Sequence, residues 1–558
     1  MKSLSKKMKI AVIIMAVLLV LLAAFIVCIT TLDMSPVYKY RVLVHNSGTQ
    51  AVSVKMTVSV PLFSKRDSVF LFLGDKDITV NSCTNTWGAT KETFLSGDGI
   101  VTIPVSRGST TTLVYEAIVS NPGKHGSRGI ITADYAVFDG DQAFLLPAEF
   151  NIYFETGIKK AVSRIKFDFD FPKEWIGIVP FKRLDKPDWM DIYSITKNAF
   201  VFGSFEQAPC ATGGLSVFAL PGYVPEDASG FESLYSYYTG LFGTSPKEFS
   251  VVLLPHDGPF GQVMGGSGTG TVAATFDIDS LRDWQLLSHR MFHAFYDTAA
   301  PYMNVHVAPN IWLNEGLCTY YENIATGALP APLIERLDVD VNRQFALTFN
   351  QYLYMRLKEP YVYNFSPMDE DRLTAAAMTE FLHYTAAPLI VKHFEDESAR
   401  LGNLPDALLR YCLDESAFEE PYTAIAAALD LLGEEEGAKF CEKYVLGVDA
   451  PPLWYLKAHQ PSSSEVLESL NYIEILLANW HQTENADYTA DLVTEEGLAL
   501  AMGAVDDSRV PVMSEALDAT VRDYCPELYA IVKDYYNRAS QLGLSLDDRD
   551  LRSKMLES

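Results

Sequence analysis

The chain has 558 residues, 48% of them apolar and 12% aromatic, enough for several domains with large packed cores. Its 71 acidic residues against 44 basic ones leave a formal net charge of −27. Such a surplus has no attraction for phosphate backbones, which excludes nucleic acid as a partner, and it keeps the chain off anionic lipid except through an apolar anchor.

Such an anchor stands near the N-terminus. Ile10 to Ile29 is a run of uncharged, mostly aliphatic residues, long enough to cross ~30 Å of hydrocarbon as a helix. Lys2, Lys6, Lys7 and Lys9 precede it, and Asp33 is the first charge after it. The asymmetry predicts a single-pass protein of the cell membrane, with residues 1–32 as cytoplasmic stub and anchor and the bulk outside. A cleaved signal peptide is the alternative. The run is longer than a signal core, no A-x-A site follows it, and Phe25-Ile26-Val27 before Cys28 is no lipoprotein box.

Residues 33–222 read as a β-rich, sandwich-like domain. Tyr38 to Val44, Ala51 to Val60, Thr111 to Val119 and Ile165 to Phe171 are rich in Val, Thr and aromatics. Turn residues such as Asn46-Ser47-Gly48 and Asn121-Pro122-Gly123 separate them. Six cysteines beyond the anchor (Cys83, Cys210, Cys318, Cys412, Cys441 and Cys525) are scattered without close pairs, the pattern of buried free thiols.

Near Pro225 the texture changes. Phe231 to Phe242 predicts a helix, and Phe249 to Leu254 a short strand. The glycine-rich stretch Gly265-Gly266-Ser267-Gly268-Thr269-Gly270 lacks the Gly-Lys-Ser/Thr ending of a phosphate loop. Helices are predicted around Leu281 to Tyr296 and Leu313 to Ile324. Residues 223–460 form one domain on this reading, and 461–558 an acidic helical region. The fold class is α+β.

His289 and His293 stand at i and i+4 on the first of these two helices. The spacing puts both imidazoles on one face, one turn apart, as a zinc pair requires. Glu315 follows in Trp312-Leu313-Asn314-Glu315-Gly316. An antiparallel second helix would present it as a third ligand. The spacing alone equally allows two ordinary histidines and an unrelated glutamate.

The stretch His289-Arg290-Met291-Phe292-His293, followed by Trp312-Leu313-Asn314-Glu315-Gly316-Leu317-Cys318-Thr319-Tyr320-Tyr321-Glu322, resembles the gluzincin metallopeptidases. It is similar to the aminopeptidase N and glycyl aminopeptidase families, whose pattern is His-Glu-x-x-His with a downstream Asn-Glu-Gly. The likeness extends over roughly Tyr38 to Leu453. The resemblance implies a thermolysin-like catalytic domain behind a β domain, with one zinc ion on His289, His293 and Glu315. It also implies an oxyanion-steadying tyrosine, for which Tyr384 in His383-Tyr384-Thr385 is the candidate, and a substrate-binding glycine-rich strand at Gly265, Gly266, Ser267 and Gly268. At Cys318 it places a small buried residue; a soft metal ligand is the other use of a thiol there.

The departures are chemical. Arg290 occupies the position of the family's glutamate, the base that takes a proton from zinc-bound water. A guanidinium with a pKa above ~12 cannot do this at neutral pH. The acid that binds a substrate amine has no counterpart in Gly266-Ser267-Gly268-Thr269. The gap from His293 to Glu315 is longer than in aminopeptidase N, and residues 462–558 lack a PDZ-like strand pattern.

Three readings follow. One is a zinc-binding, catalytically impaired homologue that binds peptides or a protein partner outside the membrane. The second is an active zinc peptidase with an atypical base; Asp297, four residues after His293, can be offered as a substitute, but nothing in the sequence places it there. The third is a metal-free ectodomain in which Arg290 pairs with a carboxylate such as Glu315. The residues favour the first.

Overall fold

The computed structural model describes residues 35–44, 50–64, 66–74, 76–95, 99–120, 129–148, 164–180, 195–266, 270–300, 304–306, 308–358, 366–368, 376–414, 420–447, 449–485 and 515–543. The apolar run 10–29 lies outside them. Among the described residues, no helix is long and apolar enough to cross a membrane. The chain divides into two compact units between Phe205 and Glu206.

The first unit is built of strands. Its largest sheet contains β1 (Val37–Leu43), β2 (Ala51–Ser59), β3 (Asp77–Asn85), β4 (Thr110–Ile118) and β5 (Arg164–Asp170), in the order β5-β1-β2-β4-β3. β1 pairs antiparallel with β2 and parallel with β5. Alternation decides which face is buried: Val52, Val54, Met56 and Val58 are fully buried while their neighbours on β2 are not. Each such side chain contributes about 1.5–3 kcal/mol of burial. Two further four-stranded sheets complete the unit. Phe169 of the first sheet meets Phe200 and Phe202 of another at ring separations of 5.9 and 5.3 Å. These contacts fasten sheet to sheet, and Phe169 belongs to a segment that read as a strand, whereas Phe200 and Phe202 do not.

The second unit opens with a mixed sheet. β6 (Leu215–Ala219), β7 (Phe249–Leu254) and β9 (Thr271–Thr275) run parallel. β8 (Val263–Gly265) pairs antiparallel with β9 and lies at the sheet's edge. The boundary at 222/223 read from the sequence therefore falls after β6, although β6 belongs to the second unit's sheet. Its partner β7 lies some thirty residues downstream, across α1 (Ser229–Phe242), and strand propensity carries no mark of such a non-local pairing.

The helices that hold the site follow: α2 (Leu281–Ala299), α3 (Ile311–Thr326), α4 (Val341–Lys358), α5 (Ala387–Arg400) and α6 (Ala407–Cys412). Trp284, Phe292 and Phe295 of α2, Trp312 and Tyr321 of α3 and Phe394 of α5 share one core. A second core joins Phe345 and Phe349 of α4 to Val466, Leu470 and Ile473 of α7 (Ser463–Asn485) and to Leu528 and Val532 of a later helix, Pro526–Gln541. The acidic C-terminal region is thus helical where it is described. All six cysteines are free, five buried and Cys210 partly exposed.

Candidate metal centre

Ser280 starts α2. Its backbone is extended (φ −101°, ψ 111°), and its hydroxyl accepts the Asp283 N–H at 3.2 Å, satisfying one of the helix's free donors. Apolar residues then recur on more than one face, so α2 runs through the core with most of its length buried. His289 and His293, each 7% exposed, lie one turn apart on it.

α3 packs against α2, and the pairings show the direction. Arg282 and Gln285 reach Glu322 and Asn323, His289 meets Glu322 and Cys318, and His293 meets Glu315. Partners descend along α3 as they ascend along α2, so the helices are antiparallel, as the third-ligand reading requires. Gly316 lets α3 in close to α5: a Cβ there would come 2.7 Å from Ala387 Cβ and 3.1 Å from its carbonyl carbon.

Three donor atoms converge. His289 Nε2 and His293 Nε2 are 3.2 Å apart, and Glu315 Oε2 is 3.4 Å from each. A tetrahedral centre with bonds of ~2.0–2.1 Å has edges of about 3.3–3.4 Å. The three atoms therefore form one face of such a tetrahedron. Glu315 Oε2 is sealed from water and accepts no hydrogen bond among the described residues, which a buried carboxylate oxygen tolerates only beside a cation. Two Nε2 atoms at 3.2 Å cannot both direct hydrogens at each other, but both can direct lone pairs at a metal. The residues fit a zinc ion.

Electrostatics agree. Burial raises the Glu315 carboxyl, but His293 and His289 outweigh it and hold the pKa well below the usual carboxylate range. Burial lowers His289, but Cys318, Glu315 and Glu322 more than offset this and hold it well above the ordinary imidazole value; His293 is pushed up to about 10 by Cys318 and Glu315 against the same burial. The carboxylates and the thiol thus favour positive charge at this cluster.

Glu322 carries a role that the sequence reading did not assign. Its Oε2 is 2.8 Å from His289 Nδ1, and its Oε1 accepts from Arg282 at 3.3 Å. An Nδ1–H held by a carboxylate leaves the Nε2 lone pair free for a metal and fixes the ring's direction. The available signal was spacing: Glu315, Cys318 and Glu322 stand at i, i+3 and i+7 on one face of α3.

Arg290 is partly exposed. Gly266 lies over it with φ +101°, and a Cβ there would come 2.8 Å from Arg290 Cβ and 3.0 Å from its carbonyl oxygen. The edge strand β8, ending at Gly265, is thus brought onto α2 beside Arg290; Ser267 and Gly268 lie outside the described residues. Tyr384 sits in a π-helical turn, Leu382–Ala386, a feature frequent at functional sites. Its ring centroid is 5.8 Å from that of His289. Burial and then Glu315 raise its hydroxyl pKa far above the ordinary value, with Arg290 opposing, so it keeps its proton. Asp297 does not serve as a free base. It is fully buried, with Oδ1 2.8 Å from His306 Nε2. Glu315 is engaged by the two imidazoles, the place that the third reading gave to Arg290.

Comparison with known proteins bears on the fold. No protein-family model matches the chain, and no curated protein matches it. Among solved structures it is similar to an aminopeptidase N family protein from Idiomarina loihiensis, with a TM-score of 0.55 and 12% identity over 75% of this chain and 77% of that one. It is also similar to an M1 zinc metallopeptidase from Deinococcus radiodurans, with a TM-score of 0.47 and 15% identity over 75% of this chain and 95% of that one. The first likeness shows the fold alone: a mixed α+β architecture like that of the aminopeptidase N family protein, with a helical C-terminal region.

Proposed function

We propose that this chain is a membrane-anchored, extracytoplasmic metallopeptidase homologue that binds one zinc ion through His289, His293 and Glu315, is catalytically impaired, and offers its cleft to a peptide or protein ligand. The observation that carries the reading is the triangle of donor atoms at tetrahedral-edge spacing, with Arg290 as the residue directly after the first ligand. Zinc, when bound, acidifies coordinated water and polarises a carbonyl. The chain's own residues supply what surrounds it. Arg290 puts a guanidinium, which is no base, where the proton acceptor would stand. Tyr384 remains a hydrogen-bond donor suited to a carbonyl oxygen. Gly265 ends the edge strand β8, the kind of element to which an extended peptide adds a strand.

The anchor rests on Ile10 to Ile29 and the four lysines before it. Membrane association that resists carbonate and is lost on deleting residues 1–32 is its check. For the site, the test is zinc content of the purified chain beside hydrolysis of both internal and free-amine peptides. Zinc without turnover is expected. High turnover that disappears in Arg290→Ala would make the arginine a working catalytic residue and overturn the reading.

A further inference from the structure

Cys318 stands on the face of α3 that carries Glu315 and Glu322, one turn beyond Glu315. It is fully buried. Its Sγ and one ring nitrogen each of His289 and His293 all lie within 4.8 Å of one another. The thiol donates to the His289 carbonyl oxygen at 3.1 Å. That carbonyl belongs to a continuous helix, where it already serves the N–H one turn on, so the bond is not one the thiol must keep.

We infer that Cys318 is the fourth protein ligand of the metal, completing a closed His289–His293–Glu315–Cys318 site. The inference rests on the metal-binding half of the proposed function and goes beyond it. Zn–S bonds are ~2.3 Å and Zn–N bonds ~2.0–2.1 Å, so sulfur and nitrogen on one tetrahedron are about 3.6 Å apart, inside the separation that the cluster already spans. Thiolate is also the softest donor in the pocket and binds zinc tightly in place of water. Four protein ligands are the mark of a structural zinc, three plus water that of a catalytic one. The closed site has no position for the attacking water. It therefore agrees with the loss of the base at position 290: neither the nucleophile nor its activator is provided for. The metal instead pins α2 to α3.

X-ray absorption of the zinc-loaded full-length chain in detergent tests this without any variant. A sulfur scatterer at ~2.3 Å beside nitrogen and oxygen is expected. In the cobalt-substituted chain a strong near-ultraviolet thiolate-to-metal charge-transfer band is expected, lost in Cys318→Ser and kept in Cys412→Ser, another buried thiol. Metal bound with a nitrogen and oxygen shell only would overturn the closed site and leave the three-ligand reading standing. Absence of bound zinc or cobalt in the native chain, at the level of a His289→Ala control, would overturn both.

Discussion

Two largely buried glutamates of the second unit are driven in opposite directions by what faces them. Glu315 looks onto two imidazoles, which hold its carboxyl well below the usual range against the pull of burial. Glu395, on α5, looks onto backbone. It accepts the Leu408 N–H at 3.0 Å at the start of α6, and burial pushes it up to about 7, with Asp406 adding to the effect. Burial is common to both, so burial does not mark the functional site. The sign of the neighbouring charge does: a carboxylate kept ionised beside two ring nitrogens is prepared for a cation, whereas one that burial pushes up to about 7 beside amide groups is a helix cap.

The largest effect that separates the two is metal loss. Glu315→Ala or His289→Ala should reduce bound zinc from one ion per chain to background, whereas Glu395→Gln should leave it unchanged; metal analysis of the purified proteins decides. Next is recovered catalysis. On the proposed reading Arg290→Glu would supply a base and Cys318→Ala would open a ligand position, so peptide hydrolysis should appear in the double variant at ~10²–10⁴-fold above either single one. Equal silence of all three with zinc bound would mean that more than these two residues separates the chain from a working peptidase.

Smaller effects probe the supports of the site. Glu322→Gln replaces the carboxylate that holds His289 Nδ1–H with a neutral group, and zinc affinity should fall about 10–100-fold in competition with a chelator. Gly316→Ala forces a methyl against Ala387 and should destabilise the second unit by about 1–3 kcal/mol in thermal or denaturant unfolding.

How much of this was legible in sequence depended on range. His289 and His293 read correctly as one face because helical periodicity is local, and α2, α3 and β7 were found close to where they lie. The direction of α3, and so the meeting of Glu315 with both imidazoles, rested on a family likeness rather than on spacing. Glu322 and Cys318 share Glu315's helix face, yet nothing in their own neighbourhood says that α2 lies opposite. β6 was assigned to the wrong side of the domain boundary because its partner in the sheet is distant in sequence. Asp297 was offered as a base because it follows His293 by one turn; its capture by His306 comes from a separate segment between α2 and α3.

The smallest prediction concerns the glutamate that does not bind metal. A carboxyl whose folded pKa is raised from 4.5 to about 7 holds its proton more tightly in the folded state than in the unfolded chain. Its stabilising contribution is therefore complete below pH 4.5 and is lost as pH rises toward 7 and above. The slope is worth about 1–2 kcal/mol once partial exposure is allowed for. Glu395→Gln keeps an oxygen to accept the Leu408 N–H but cannot ionise, so melting temperatures at pH 5 and pH 8 should lie closer together in the variant than in the native chain. The first unit contains its own counterpart. Asp139 accepts the Gln142 N–H at 2.7 Å at the start of the turn Gly140–Ala143, and burial pushes it to about 7. If the two units unfold in separate transitions, Glu395→Gln should flatten only the second unit's pH dependence and Asp139→Asn only the first's. An unchanged slope in the second unit's transition would mean that the Glu395 carboxyl is hydrated and ionised in the folded chain, and the contrast drawn with Glu315 would then rest on the imidazoles alone.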